Sequence, residues 1–172
     1  MRKEEFFTKN VLKENKSVSQ VPPILYKQER DWTCAIACIR TLISAINEDV
    51  PTEEYFIEKY NLKPGPLYSN DVMNLKILEK YNVKYGCLKD IDFNEIVNLL
   101  NEGYYIMLES MVNYSHWMVL LGYFAVSEDI EQYKLLFFDP YYEEVRLIRA
   151  DEFIGMWQDG DGKIKHDFIA IK

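Results

Sequence analysis

The spacing of hydrophobic positions changes character partway along the chain. Residues 34–46 are apolar or small with little charge, Arg40 being the one strongly polar side chain early in the run, and this predicts a buried helix. Asp31 or Thr33 stands where an N-cap belongs, so Cys34 falls in the first turn. Asn47-Glu48-Asp49 ends that helix. Pro51-Thr52-Glu53-Glu54 begins a second, with proline in the first turn and Tyr55, Phe56, Ile57 and Tyr60 on its apolar face. Lys63-Pro64-Gly65-Pro66 is a break, and Ser69-Asn70-Asp71 caps a third helix with Val72, Leu75, Ile77 and Leu78 inward. Residues 92–102 form an amphipathic helix through Ile96, Val97, Leu99 and Leu100, ending at Gly103.

The other runs are short and strand-like: 83–88, 104–111, 116–126, 134–138, 144–148 and 164–171. Between them lie a turn at 113–115, a charged hairpin loop at 127–133, a short helix at 150–157 and the turn Asp159-Gly160-Asp161-Gly162. Helices first and strands afterwards predict an α+β fold, N-terminal helices packed on a mostly antiparallel sheet of about five strands. Residues 1–20 are polar, with Phe6, Phe7, Val11 and Leu12 at roughly helical spacing, and read as an N-terminal helix or arm. Val21-Pro22-Pro23 stops it, and residues 21–172 form the domain proper.

Composition narrows the partners. Twenty basic against 28 acidic residues give a net charge of −8, which argues against nucleic acid or an anionic membrane and leaves a basic peptide open. The start is charged from Arg2 to Glu5, so neither a signal peptide nor a membrane span is expected. Cys34 and Cys38 stand at i and i+4, poorly placed for a disulfide, and no paired C-x-x-C spacing is present. Reduced thiols and a cytoplasmic protein are expected. Asp159-Gly160-Asp161-Gly162 lacks the other ligand positions of a calcium loop, so no metal and no cofactor are expected. The oligomeric state cannot be read from the sequence.

The chemistry gathers on Gln28, Cys34, His116 and Asp139. A thiol becomes a nucleophile as thiolate, which a helix N-terminus and an imidazolium both favour. The imidazole later supplies a proton to the leaving group, and a carboxylate fixes its tautomer and orientation. A glutamine amide and the cysteine backbone N–H are donors for an oxyanion. Alone, each residue reads as core or turn; together they are the parts of a cysteine-nucleophile site. Cys38 reads as core and His166 as surface. Trp32 and Trp117, beside the nucleophile and the base, are candidates to line a substrate groove.

The stretch Gln28-Glu29-Arg30-Asp31-Trp32-Thr33-Cys34-Ala35-Ile36-Ala37-Cys38, the strand beginning His116-Trp117-Met118-Val119 and the turn Phe137-Phe138-Asp139-Pro140 carry a family resemblance. They resemble the papain-like cysteine peptidases that remove double-glycine leaders from bacteriocin precursors, as a stand-alone domain. They also resemble related domains described as guanylyl-cyclase-like. The likeness runs from about residue 25 to the C-terminus. It implies a papain-like fold, with Cys34 as nucleophile, His116 as base and acid, Asp139 as orienter and Gln28 as oxyanion donor. One position departs from the pattern: Ala35 stands where the family usually has glycine. The implied activity is hydrolysis of a peptide or amide bond. An acyl transferase, a cyclase and a catalytically silent peptide-binding module are the alternatives; a cyclase lacks support in a Gly-rich phosphate loop or a metal-binding carboxylate pair.

Overall fold

Every residue of helix α1, Cys34–Ile43, is buried, so the helix must be covered on all sides. The structure, a computed structural model, describes residues 17–47, 49–80, 83–86, 92–111, 113–157 and 166–172. Among these are seven strands: β1 Ser17–Ser19, β2 Val83–Gly86, β3 Tyr105–Met111, β4 Ser115–Phe124, β5 Lys134–Asp139, β6 Glu144–Arg149 and β7 Phe168–Ile171. They form one antiparallel sheet in the order β2-β7-β3-β4-β5-β6, with β1 paired to the C-terminal end of β4.

Strand alternation sorts the core into two layers. On β4, Trp117, Val119 and Leu121 pack with α1; Met118 and Leu120 belong to the opposite layer. On β5, Phe138 joins the first layer and Phe137 the second. The first layer is completed by α2 (Glu53–Tyr60) through Phe56 and α3 (Ser69–Met73) through Val72. The second is filled by α4 (Phe93–Asn101) and α5 (Ala150–Met156), through Ile96 and Phe153 among others. Covered on both faces, β4 is apolar almost throughout.

Several sequence expectations need correction. Ser17–Ser19, placed in the helix or arm, is a strand; three residues are too few for a period to be read, and residues 1–16 lie outside the described residues. Pro51 precedes the N-cap, which is Thr52, whose hydroxyl accepts the Tyr55 N–H at 3.2 Å. The third helix is capped from Tyr68, whose N–H meets the Asp71 carboxylate, and a 3₁₀ turn, Lys76–Lys80, follows it. The loop at 127–133 contains a 3₁₀ turn, Ile130–Gln132. His166 is half-buried, its ring stacked 4.7 Å from that of Trp157, rather than on the surface. Cys87, Leu88 and the turn at 159–162 fall outside the described residues. Among the described residues, no helix is long and apolar enough to cross a membrane.

The end of α4 follows its sequence signal closely. Tyr104 N–H bonds to Leu99 O and Gly103 N–H to Leu100 O, with Gly103 at φ +89°, the double closure of a Schellman turn. A side chain there is strained by its backbone and would stand 3.3 Å from Gln20 Nε2. Gly103→Ala is expected to cost about 1–2 kcal/mol, measured as a lowered urea midpoint with an unchanged slope.

Candidate active site

The site grows from the loop that leads into α1. Thr33 is the N-cap position, yet its hydroxyl turns back to the loop, donating to Arg30 O at 2.9 Å and accepting from Arg30 N–H at 3.1 Å. Glu29 N–H donates to the Glu53 carboxylate at 2.9 Å, and Arg40 reaches Glu29 at 3.0 Å. Glu53 is itself buried. Burial pushes its carboxyl up, against the opposing pull of the Glu29 N–H, Thr33 and Arg40. Gln28 N–H donates to Pro140 O at 3.1 Å, tying this loop to the end of β5. The loop is thus held on three sides, and Cys34 emerges as the first residue of α1, where unpaired N–H groups concentrate positive potential.

His116 and Asp139 meet across the β4–β5 pair. Their side chains leave the sheet at one edge, and His116 Nε2 lies 2.9 Å from Asp139 Oδ1. Cys34 lines the same cavity as His116 and acts on the imidazole through hydrogen bonding and charge. Burial pulls the imidazole proton off, but hydrogen bonds to Asp139 and Cys34 and their negative charges overcome it and raise the pKa to about 9. Asp139 is 1% exposed. Burial would raise its carboxyl, yet the His116 hydrogen bond and charge, the Tyr141 N–H at 3.0 Å and Arg146 hold it below the usual carboxylate range. Cys38, one turn after Cys34, is fully buried, and desolvation pushes its thiol up, as suits a core residue.

Two cavities adjoin at His116. One, of about 170 Å³, is lined by Cys34, Trp32, Gly65 and Pro66. The other, of about 210 Å³, holds Asp139, Arg146 and Tyr142. His116, Tyr114 and Tyr141 border both. Of the residues named from the sequence, Cys34, His116 and Asp139 come together and Trp32 lines the cleft. Trp117 does not: it is fully buried and its indole N–H donates to Leu67 O at 2.8 Å, so it packs the core beneath the 64–68 loop. Its neighbour His116 faces the site, and consecutive strand residues face opposite ways. Gln28 is buried and lines neither cavity. Its Nε2 donates to Arg30 O at 2.8 Å, and its buried Oε1 has no partner among the described residues. Ala35 lies inside α1, outside the left-handed region, so the fold does not require glycine there. Sequence reasoning missed Arg146, whose Nε stands 3.3 Å from Asp139 Oδ2, and the Tyr114, Tyr141 and Tyr142 cluster. It also missed that Glu53 clamps the loop leading into α1.

No family profile matches the sequence, and no curated protein does. Solved structures do match. One is the peptidase domain of Streptococcus ComA, a bifunctional ABC transporter of a quorum-sensing pathway, at TM-score 0.60 and 13% identity, covering 86% of this chain and 95% of that one. Another is a putative C39-like peptidase from Bacillus anthracis, at TM-score 0.69 and 11% identity, covering 92% and 98%. The fold is therefore the papain-like cysteine peptidase fold of C39-type domains. Neither structure is described as a cyclase.

The contacts of His116 predict its titration. Its NMR midpoint should lie near 9 and fall by more than one pH unit in Asp139→Asn, which replaces the anionic neighbour with a neutral amide. An unchanged midpoint would mean that the 2.9 Å contact does not govern the proton. Trp117→Phe, which orphans Leu67 O, should lower stability by about 1–3 kcal/mol in urea titrations.

Proposed function

We propose that this chain is a cysteine hydrolase acting on a peptide or amide bond. The observation that carries the reading is the His116–Asp139 contact of 2.9 Å, with Cys34 lining a cavity that His116 also lines. The likeness in fold to C39-type peptidase domains supports it. In this reading the Cys34 thiolate attacks the carbonyl carbon. The negative charge on the carbonyl oxygen is met by N–H groups at the start of α1 and by the Gln28 side-chain amide, which has a second hydrogen beyond the one given to Arg30 O. Imidazolium His116 then gives its proton to the leaving nitrogen as the C–N bond breaks. Neutral His116 next removes a proton from water, the hydroxide attacks the thioester, and the C–S bond breaks to return the thiolate. Asp139 keeps Nε2–H directed away from the thiol throughout.

Iodoacetamide labelling tests the nucleophile without a substrate. One equivalent should attach to Cys34 and none to buried Cys38 in the folded protein, with the rate at pH 6 falling at least about tenfold in His116→Ala. Equal rates in parent and variant would overturn the pairing. For any substrate found, kcat/KM should decline as pH rises through about 9, where the acid is lost, rather than near 6.5. Cys34→Ala should abolish turnover and keep the near-UV circular dichroism of the parent.

A further inference from the structure

The cavity of about 210 Å³ beyond His116 has no part in the steps above. It lies over the second face of the sheet, where Met118 and Ile148 belong to the layer that α5 covers. Met118, Ile148 and Met156 give it an apolar base, and Tyr114, Tyr141 and Tyr142 form its rim. Tyr114 and Tyr142 are exposed, at 59% and 56%. Cys34 does not reach it.

We infer that this cavity is the leaving-group subsite, receiving an uncharged, apolar side chain of the residue on the amine side of the scissile bond. The inference deepens the hydrolase reading and rests on it. Position is the first argument. The acyl half of a substrate is bonded to Cys34, whereas the leaving nitrogen takes its proton from His116. The amine half therefore runs past His116, and of the two cavities this one shares His116 without Cys34. Charge is the second. Arg146 Nε is 2.8 Å from Glu144 and 3.3 Å from Asp139, and protonated His116 also faces Asp139, so two cations meet two anions. An ionic side chain entering here would lose its hydration and find no spare countercharge. Size is the third. An apolar cavity of about 150 Å³ admits benzene, so this one takes a side chain as large as leucine, methionine or phenylalanine.

Partitioning of an acyl-enzyme tests the subsite separately from the hydrolase reading. p-Nitrophenyl acetate acetylates Cys34 and releases p-nitrophenolate as a burst; an added amine then competes with water. The amine nitrogen attacks the thioester carbon, its proton passes to His116, and the C–S bond breaks with its electron pair returning to sulfur. Acetyl-leucinamide and acetyl-phenylalaninamide should form at least about tenfold faster than acetyl-glycinamide or acetyl-lysinamide at equal amine concentration, read by mass spectrometry. Ile148→Asp, which places a charge at the apolar base, and Met156→Trp, which fills it, should each erase that preference, the burst reporting that Cys34 is still acylated. A burst with equal partitioning, or a preference that survives both variants, overturns the subsite alone. No burst overturns the hydrolase reading and the subsite with it.

Discussion

The burial of α1 is the constraint on which the rest depends. Ten consecutive buried residues must be met by other surface on every side, and one sheet face with two short helices provides most of it. The one charged member, Arg40, is 7% exposed. Its guanidinium is carried by Glu29 at 3.0 Å and by the Tyr26 ring, 4.2 Å from its centroid. A buried cation without such partners would be strongly destabilising. The charge that α1 needs to satisfy is thus also what draws the Gln28–Thr33 loop into place. Fixing the helix and fixing the position of Cys34 are one task.

The two halves of the chain then meet at a backbone hydrogen bond, Gln28 N–H to Pro140 O. It joins the approach to α1 with the turn that ends β5, one residue beyond Asp139. The cleft therefore lies where helix start and strand ends converge, and side chains on it come from rigid elements rather than from a long loop. Asp139 is the most constrained of them. It serves His116, the Tyr141 N–H and Arg146 while almost fully excluded from water. Such a carboxylate has little freedom to turn, which is what an orienting group requires.

Much of this could be read from the sequence, for physical reasons. Cys34, His116 and Asp139 stand at element boundaries, and boundaries are signalled by caps, turns and proline. Antiparallel pairing then brought His116 and Asp139 to one sheet edge without further information. Trp117 was misjudged because adjacency along a strand was treated as adjacency in space, whereas the pleat sends neighbours to opposite faces. Arg146 and Glu53 were illegible for another reason. Each meets a partner on a different element, Arg146 the Asp139 carboxylate and Glu53 the Glu29 N–H, far from it in sequence or across a turn. No local pattern announces such a contact. Ser17–Ser19 escaped because a three-residue edge pairing carries too few positions for alternation to show.

The electrostatics decide how tightly the parts are coupled. A half-exposed histidine–carboxylate contact is worth about 0–1 kcal/mol. Raising His116 from 6.5 to about 9 corresponds to roughly 3 kcal/mol of preference for the imidazolium. That is the scale of a buried ion pair, consistent with an Asp139 side chain that is 1% exposed and a His116 side chain at 16%. Because burial opposes the imidazolium, the preference is supplied by the hydrogen bonds and charges of Asp139 and Cys34 together. Removing one leaves the other to bear the desolvation alone. The state of the imidazole is therefore set by the carboxylate held 2.9 Å away and by the neighbouring Cys34.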